Sequence, residues 1–205
     1  MSAWNLALLA GWAVLLVNLG LTLRVVRRLR AEQELQEQVA ALQHAPDVEV
    51  GGPAPRFRAR TLDGNAVGLD DFADRAVTFL SVSPDCPTCR RELRGLMHLA
   101  KVAREKAGVE FVLVSDYGIA ATNAWLQTMR QDDRVEVNAP VLAAPQATSD
   151  FLAAYNPRVI TPFHVFVRED GTVGSRGPVG AGDWLKLRAT WEETGMAAAV
   201  RRRAG

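Results

Sequence analysis

The sequence predicts an α/β domain, a central mixed β-sheet flanked by helices and preceded by an N-terminal transmembrane helix. Three observations predict it. Short apolar runs suited to buried strands alternate with longer segments of helical periodicity. The turn signals Asp63-Gly64-Asn65 and Asp170-Gly171 join strand pairs into hairpins near the two ends of the domain. Finally, residues 4–23 form a run without a single charge.

Taking the elements in order, Trp4 to Leu23 reads WNLALLAGWAVLLVNLGLTL. At ~1.5 Å per residue such a helix spans a hydrocarbon core of ~30 Å. A cleaved signal peptide needs a basic start and a small-residue cleavage site, whereas MSAWN carries no Lys or Arg and the run ends in RVVRRLR. An uncleaved anchor over 1–23, in contact with the lipid bilayer through 4–23, is therefore expected. Arg24 to Gln43 continues as a helix without Gly or Pro; Leu35, Val39 and Leu42 share a face, but Arg28 and Glu32 interrupt the seam, so a solvated stalk is expected rather than a coiled coil. Gly51, Gly52, Pro53 and Pro55 break that pattern and close a stalk and linker over 24–55.

The folded domain is expected over 56–205. Phe57–Leu62 and Ala66–Leu69 form the first hairpin, and Ala76–Val82 is a buried strand. Cys86–Lys106 is helical with Leu93, Leu96, Met97, Ala100 and Ala103 facing inward. Val109–Ser115 is a second buried strand, Ala120–Arg130 a helix, and Val141–Ala143 a short strand. Thr148–Tyr155 is a short helix stopped by Asn156-Pro157. Phe163–Arg168 and Thr172–Val179 form the second hairpin, and Asp183–Thr194 is a closing helix, on which Trp184 and Leu187 are expected to face the core and Trp191 the surface. Arg201-Arg202-Arg203 reads as a solvated tail.

A formal net charge of +1 supplies no global field toward nucleic acid. The chain has only 2 cysteines, Cys86 and Cys89, too few for a secreted disulfide scaffold. Zinc would need further ligands of similar spacing, and His44, His98 and His164 are scattered, so no metal and no cofactor are expected. The pair instead occupies a position with chemical consequences. SPDCPTCRREL follows a buried strand and opens a long helix, whose N-terminus carries unpaired N–H groups and about half a positive charge. A thiolate is stabilised there. Cys86 can attack a substrate disulfide, and Cys89, one turn further on, can resolve the mixed disulfide. Pro87 suits an early helical position because its missing N–H costs nothing there. Asp85 should raise the Cys86 pKa, and Arg90, with Arg91, should lower it.

Val50-Gly51-Gly52-Pro53-Ala54-Pro55-Arg56-Phe57, the hairpin, Cys86-Pro87-Thr88-Cys89 and Thr161-Pro162 together resemble the redoxin and TlpA/ResA-type branch of the thioredoxin superfamily. With the apolar N-terminus, the SPDCPTC motif and a strand ending in Ser115-Asp116, the chain is similar in particular to MauD-type methylamine dehydrogenase accessory proteins. The resemblance implies a thioredoxin-like fold and thiol–disulfide exchange with a protein disulfide or dithiol substrate. It implies a cis-proline at Pro162 facing the cysteines, with Thr161, Pro87 and Thr88 in the substrate-binding surface. A membrane-anchored redox partner, and a role in maturing a disulfide-rich periplasmic enzyme such as methylamine dehydrogenase, follow from the same likeness.

The side of the membrane is argued in two directions. Arg24, Arg27, Arg28 and Arg30 follow the apolar span, and the positive-inside rule puts that flank in the cytoplasm. The resemblance puts the redox domain outside the inner membrane, and this is the reading adopted. Two other functions compete. A thiol peroxidase of peroxiredoxin type would use Ser83 and Cys86, but its motif has proline where this chain has Phe79. A membrane-tethered docking protein would keep the fold and dispense with the thiols.

Overall fold

The computed structural model describes residues 48–204, with side chains to Thr194, together with Trp12, Asn18–Thr22 and Arg24. The chain divides into two compact units, Met1–Ala45 and Pro46–Gly205. In the first, the described residues are helical, and Trp12, Leu19 and Leu21 are exposed. The expected anchor and stalk otherwise lie outside the described residues. Among the described residues no helix is long and apolar enough to cross a membrane.

The second unit is built on seven strands: β1 (Arg58–Thr61), β2 (Ala66–Gly68), β3 (Val77–Val82), β4 (Glu110–Ser115), β5 (Val141–Ala143), β6 (Phe163–Val167) and β7 (Val173–Pro178). They form one sheet in the order β2-β1-β5-β4-β3-β6-β7. β3 pairs parallel to β4 and β4 parallel to β5, while the other neighbours are antiparallel. A mixed sheet follows from the connections: helical crossovers return the chain parallel, and tight turns return it antiparallel. The helices are α1 (Pro87–Ala107), α2 (Ile119–Gln131), α3 (Asp150–Tyr155) and α4 (Gly182–Ala204). A 3-10 turn, Leu69–Phe72, takes Leu69 from the end of the expected second strand.

Two apolar cores lie on the two sheet faces. Leu80, Val82, Phe111 and Leu113 face Leu93, Met97 and Ala100 of α1, Trp125 and Met129 of α2, and Trp184 and Trp191 of α4. Phe79, Val112, Val114 and Val165 face Phe57, Phe72 and, from α3, Phe151 and Tyr155. Alternation along each strand distributes the side chains in this way, so β3 and β4 are buried on both faces.

Two expectations are corrected. The linker does not run to residue 55, because residues 48–55 pack onto the domain. Gly51 N–H donates to the Val173 carbonyl at 2.8 Å, Ala54 N–H to that of Gly171 at 2.9 Å, and Tyr155 Oη to that of Pro55 at 2.6 Å. Val48 and Ala54 are buried as a result. Trp191 belongs to the core, not the surface: it is 2% exposed, and its ring centroid lies 6.0 Å from Trp184 and 5.4 Å from Phe111. Seven residues are nearly two whole turns of a 3.6-residue helix, which puts Trp184 and Trp191 on one stripe with Leu187. Leu185 projects outward at 54% exposure. The backbone of α4 is helical as far as Ala204, through the arginines expected as a tail.

Candidate active site

Strand register brings three separate segments to one end of the sheet. Val82, the last residue of β3, pairs with Ser115, the last of β4. The neighbouring Ser81 pairs with Phe163, the first residue of antiparallel β6. The residues just beyond these pairs are Ser83–Cys86, Asp116–Tyr117 and Thr161-Pro162, so the loops carrying them converge.

Cys86 is the N-cap of α1, in extended conformation, with Pro87 in the first helical turn. Its sulfur accepts a hydrogen bond from the Cys89 N–H at 3.0 Å, one of the amides that a helix start leaves unpaired. The Cys86 thiol also donates to the Thr161 carbonyl at 3.4 Å. The two cysteines are not bonded to each other. They differ in environment: Cys86 is partly exposed, whereas Cys89, one turn into α1, is 0% exposed on the helix's buried face.

Their ionisation differs accordingly. Partial burial works to raise the Cys86 pKa, but hydrogen bonds from Cys89 and the Thr161 side chain, with the Cys89 and Thr88 amides, outweigh it, and the value is lowered. Burial pushes Cys89 up to about 12, reinforced by its bond to the Cys86 sulfur. Cys86 is therefore the more readily ionised sulfur of the two, and Cys89 holds its proton.

The substrate-facing residues named from the sequence lie around this pair. The Thr161-Pro162 peptide is cis, and Thr161 faces the Cys86 sulfur. The loop that presents it is held from within: buried Asn156 donates from Nδ2 to the Ile160 carbonyl at 2.8 Å and accepts from the Ile160 N–H at 3.0 Å. Pro87 is exposed, and the Thr88 amide faces the sulfur. Asp85 and Arg90 are turned elsewhere. Asp85 accepts from the Tyr117 hydroxyl, and Arg90 donates to Asp133 at 2.8 Å. Neither side chain is among the groups that shift Cys86.

Sequence reasoning gave no role here to Tyr117, and it treated Asp116 only as part of a strand-ending motif. Their contacts to the cysteine loop cross more than thirty residues of chain, which no local pattern reveals. The turn after β4 that holds them is tied by a buried hydroxyl bond from Thr122 Oγ1 to Ser115 Oγ at 2.8 Å, while the Tyr117 N–H donates to Ser115 Oγ at 3.3 Å.

A mixed sheet with a dithiol at the start of its first long helix and a cis-proline loop opposite defines a thioredoxin-like protein. The chain belongs to the AhpC/TSA family, which it matches over residues 50–176. Comparison with curated protein sequences finds no match. Among solved structures, the chain is similar to a candidate protein disulfide isomerase from Bacteroides thetaiotaomicron, with a TM-score of 0.58 at 16% identity over 72% of this chain and 90% of the other. It is similar to the thioredoxin domain of a thiol-disulfide oxidoreductase from Bacteroides vulgatus, with 0.54 at 19% over 70% and 99%. A thiol:disulfide interchange protein from Bacteroides sp. gives 0.54 at 22% over 71% and 90%. At these identities the likeness is one of fold.

Proposed function

We propose that the protein is a thiol–disulfide oxidoreductase acting on protein disulfides, with Cys86 as attacking thiolate and Cys89 as resolving thiol. The observation that carries this reading is the asymmetry of the pair at one helix start. The Cys86 sulfur is accessible and held by an N–H at 3.0 Å, whereas Cys89 is enclosed with its pKa pushed up to about 12. Cys86 attacks a substrate disulfide to give a mixed disulfide and a free substrate thiolate. Cys89 then displaces the second substrate sulfur, closing Cys86–Cys89; the reverse sequence oxidises a dithiol. The backbone at Thr161 serves as the docking edge for an extended substrate segment.

Around this chemistry we place the uncharged run at 4–23 as an anchor in the inner membrane, with the redox domain on the periplasmic face. The client is a disulfide-rich periplasmic enzyme, methylamine dehydrogenase being the example that the MauD-type resemblance suggests, and a membrane-anchored redox partner resets the pair. A Cys89→Ser chain in the native membrane tests the whole reading. A client protein should accumulate in disulfide linkage to Cys86 and be freed by reductant. Absence of any Cys86-linked protein, or the same adducts in Cys86→Ser, refutes it. A reporter enzyme fused to the C-terminus and active only outside the cytoplasm tests the topology.

The peroxidase alternative has one observation in its favour: Ser83 lies at the cysteine loop, its carbonyl accepting the Cys86 N–H at 3.2 Å. Against it, Phe79 is a core residue of β3, with its ring 5.3 Å from that of Phe57. Peroxide consumption that requires Cys86 while insulin reduction does not would favour the peroxidase.

A further inference from the structure

Arg90, Arg91 and Arg94 follow Pro87 by three, four and seven positions, so the four side chains share one stripe of α1. The stripe starts beside Cys86, the N-cap of the same helix. Together with Asp132 to Val135, just after α2, it lines an open groove of about 660 Å³. The charges in this groove do not cancel. Arg90 takes up both carboxylates, donating to Asp133 at 2.8 Å with Asp132 at 3.9 Å. Arg94 donates to the Asp133 backbone carbonyl, a neutral group. Arg91 reaches back toward the cysteines, 3.4 Å from the Thr88 hydroxyl, with only the exposed Glu92 beside it at 3.2 Å. Arg134, the fourth arginine, is exposed and among the described residues meets no carboxylate. A chain with a formal net charge of +1 therefore gathers its positive surplus along the face that leads away from its reactive sulfur.

A guanidinium pairs its N–H donors with a carboxylate, and clustered arginines recognise acidic segments. From Pro87 to Arg94 the stripe runs about 10 Å, the reach of about three residues of extended chain. Asp132 and Asp133, set among the arginines, oppose a dense array of phosphates such as an anionic bilayer but leave room for a short acidic run. Resting on the oxidoreductase reading above, we propose that this groove docks an acidic segment of the protein substrate, the Asp or Glu residues within about three positions of the cysteine that Cys86 attacks. Thr161 presents the substrate sulfur, and Arg91, Arg94 and Arg134 select what surrounds it.

Single-turnover reduction of two synthetic peptide disulfides by the reduced full-length protein tests this. The peptides differ only in carrying Glu or Lys at the three positions on each side of the cysteine. At about 20 mM salt the Glu peptide should react at least about tenfold faster, and at about 0.5 M salt the two rates should converge to within about twofold. In Arg94→Glu/Arg134→Glu the low-salt preference should vanish or invert, and Arg94→Gln/Arg134→Gln, a milder change, should reduce it at least about threefold. Uncharged hydroxyethyl disulfide should be reduced within about twofold of wild type by both variants, which shows the thiols and the fold to be intact. Equal rates for the two peptides in wild type at low salt overturn the proposal, and so does a preference that the Gln variant leaves unchanged. Binding to phosphatidylglycerol vesicles through the same arginines, without preference between the peptides, overturns it as well and gives the face to the membrane. A wild-type protein that reduces neither the peptides nor hydroxyethyl disulfide refutes the oxidoreductase reading instead, so the two failures are distinguishable.

Discussion

The Cys86 sulfur and the Thr161 carbonyl oxygen lie 3.4 Å apart although 75 positions separate them in the chain. The contact joins the start of α1 to the loop before β6, and it is possible because β6 runs antiparallel beside β3, whose end leads directly into the cysteine loop. Whatever segment lies along Thr161 is therefore presented to this sulfur and not to Cys89, which is enclosed.

Selective alkylation is the first consequence. Even at the ordinary value of 9.0 for Cys86 against about 12 for Cys89, thiolate populations at neutral pH differ about a thousandfold, and burial slows Cys89 further. Iodoacetamide should modify Cys86 alone on the timescale of minutes, with a pH midpoint below that of a free thiol. Peptide mapping that finds Cys89 labelled first would reverse the roles.

His164 makes the fold sensitive to acid. Its ring is 0% exposed, and burial holds its pKa down at about 4 against 6.5 when free. Between these values the unfolded chain binds the proton and the folded one does not, so stability is fully present above about pH 6.5 and is lost as pH falls toward about 4. The gap corresponds to about 3 kcal/mol. Urea midpoints should fall over this interval in wild type and fall less in His164→Gln.

Asn156 clamps the cis-proline loop across Val159, a β-branched residue with a positive φ of 48°. Asn156→Ala should cost about 1–3 kcal/mol of stability by leaving Ile160 groups unpaired. It should also lower turnover while leaving the alkylation rate of Cys86 within a few-fold, because the docking edge moves and the helix start does not. Equal turnover at matched folded fraction would show that the clamp has no part in presenting Thr161.

The face assigned to α4 is tested by two substitutions about one and two-thirds turns apart. Trp191→Ala should destabilise by about 3–5 kcal/mol, since the ring fills the space between Phe111 and Trp184. Leu185→Ala, at a residue 54% exposed, should change stability by less than about 0.5 kcal/mol. Similar unfolding midpoints for the two would contradict the packing.

Much of the fold was legible because its signals are local. One helix start, one helix stop and two turns announced themselves: Cys86-Pro87 opening α1, Asn156-Pro157 ending α3, and Asp63-Gly64-Asn65 and Asp170-Gly171 turning the two hairpins. The buried character of β3 and β4 was likewise written in unbroken apolar runs. The errors came where a neighbour decides. Gly51 to Pro55 has the composition of a linker, yet its backbone pairs with the turn between β6 and β7. Asp85 and Arg90 stand next to the cysteines in sequence, but their partners are Tyr117 and Asp133, so adjacency misstates what they do.

By itself the sequence determined the order of strands and helices, and that two sulfurs stand one turn apart where a helix begins, because hydrophobic period, capping and helix-end charge act over a few residues. The tertiary structure alone decided the difference between those sulfurs. It enclosed Cys89, set Thr161 against Cys86, and turned Asp85 and Arg90 to partners elsewhere. Burial and pairing across a sheet depend on register between strands far apart in the chain, and those are the quantities that set a pKa and present a substrate.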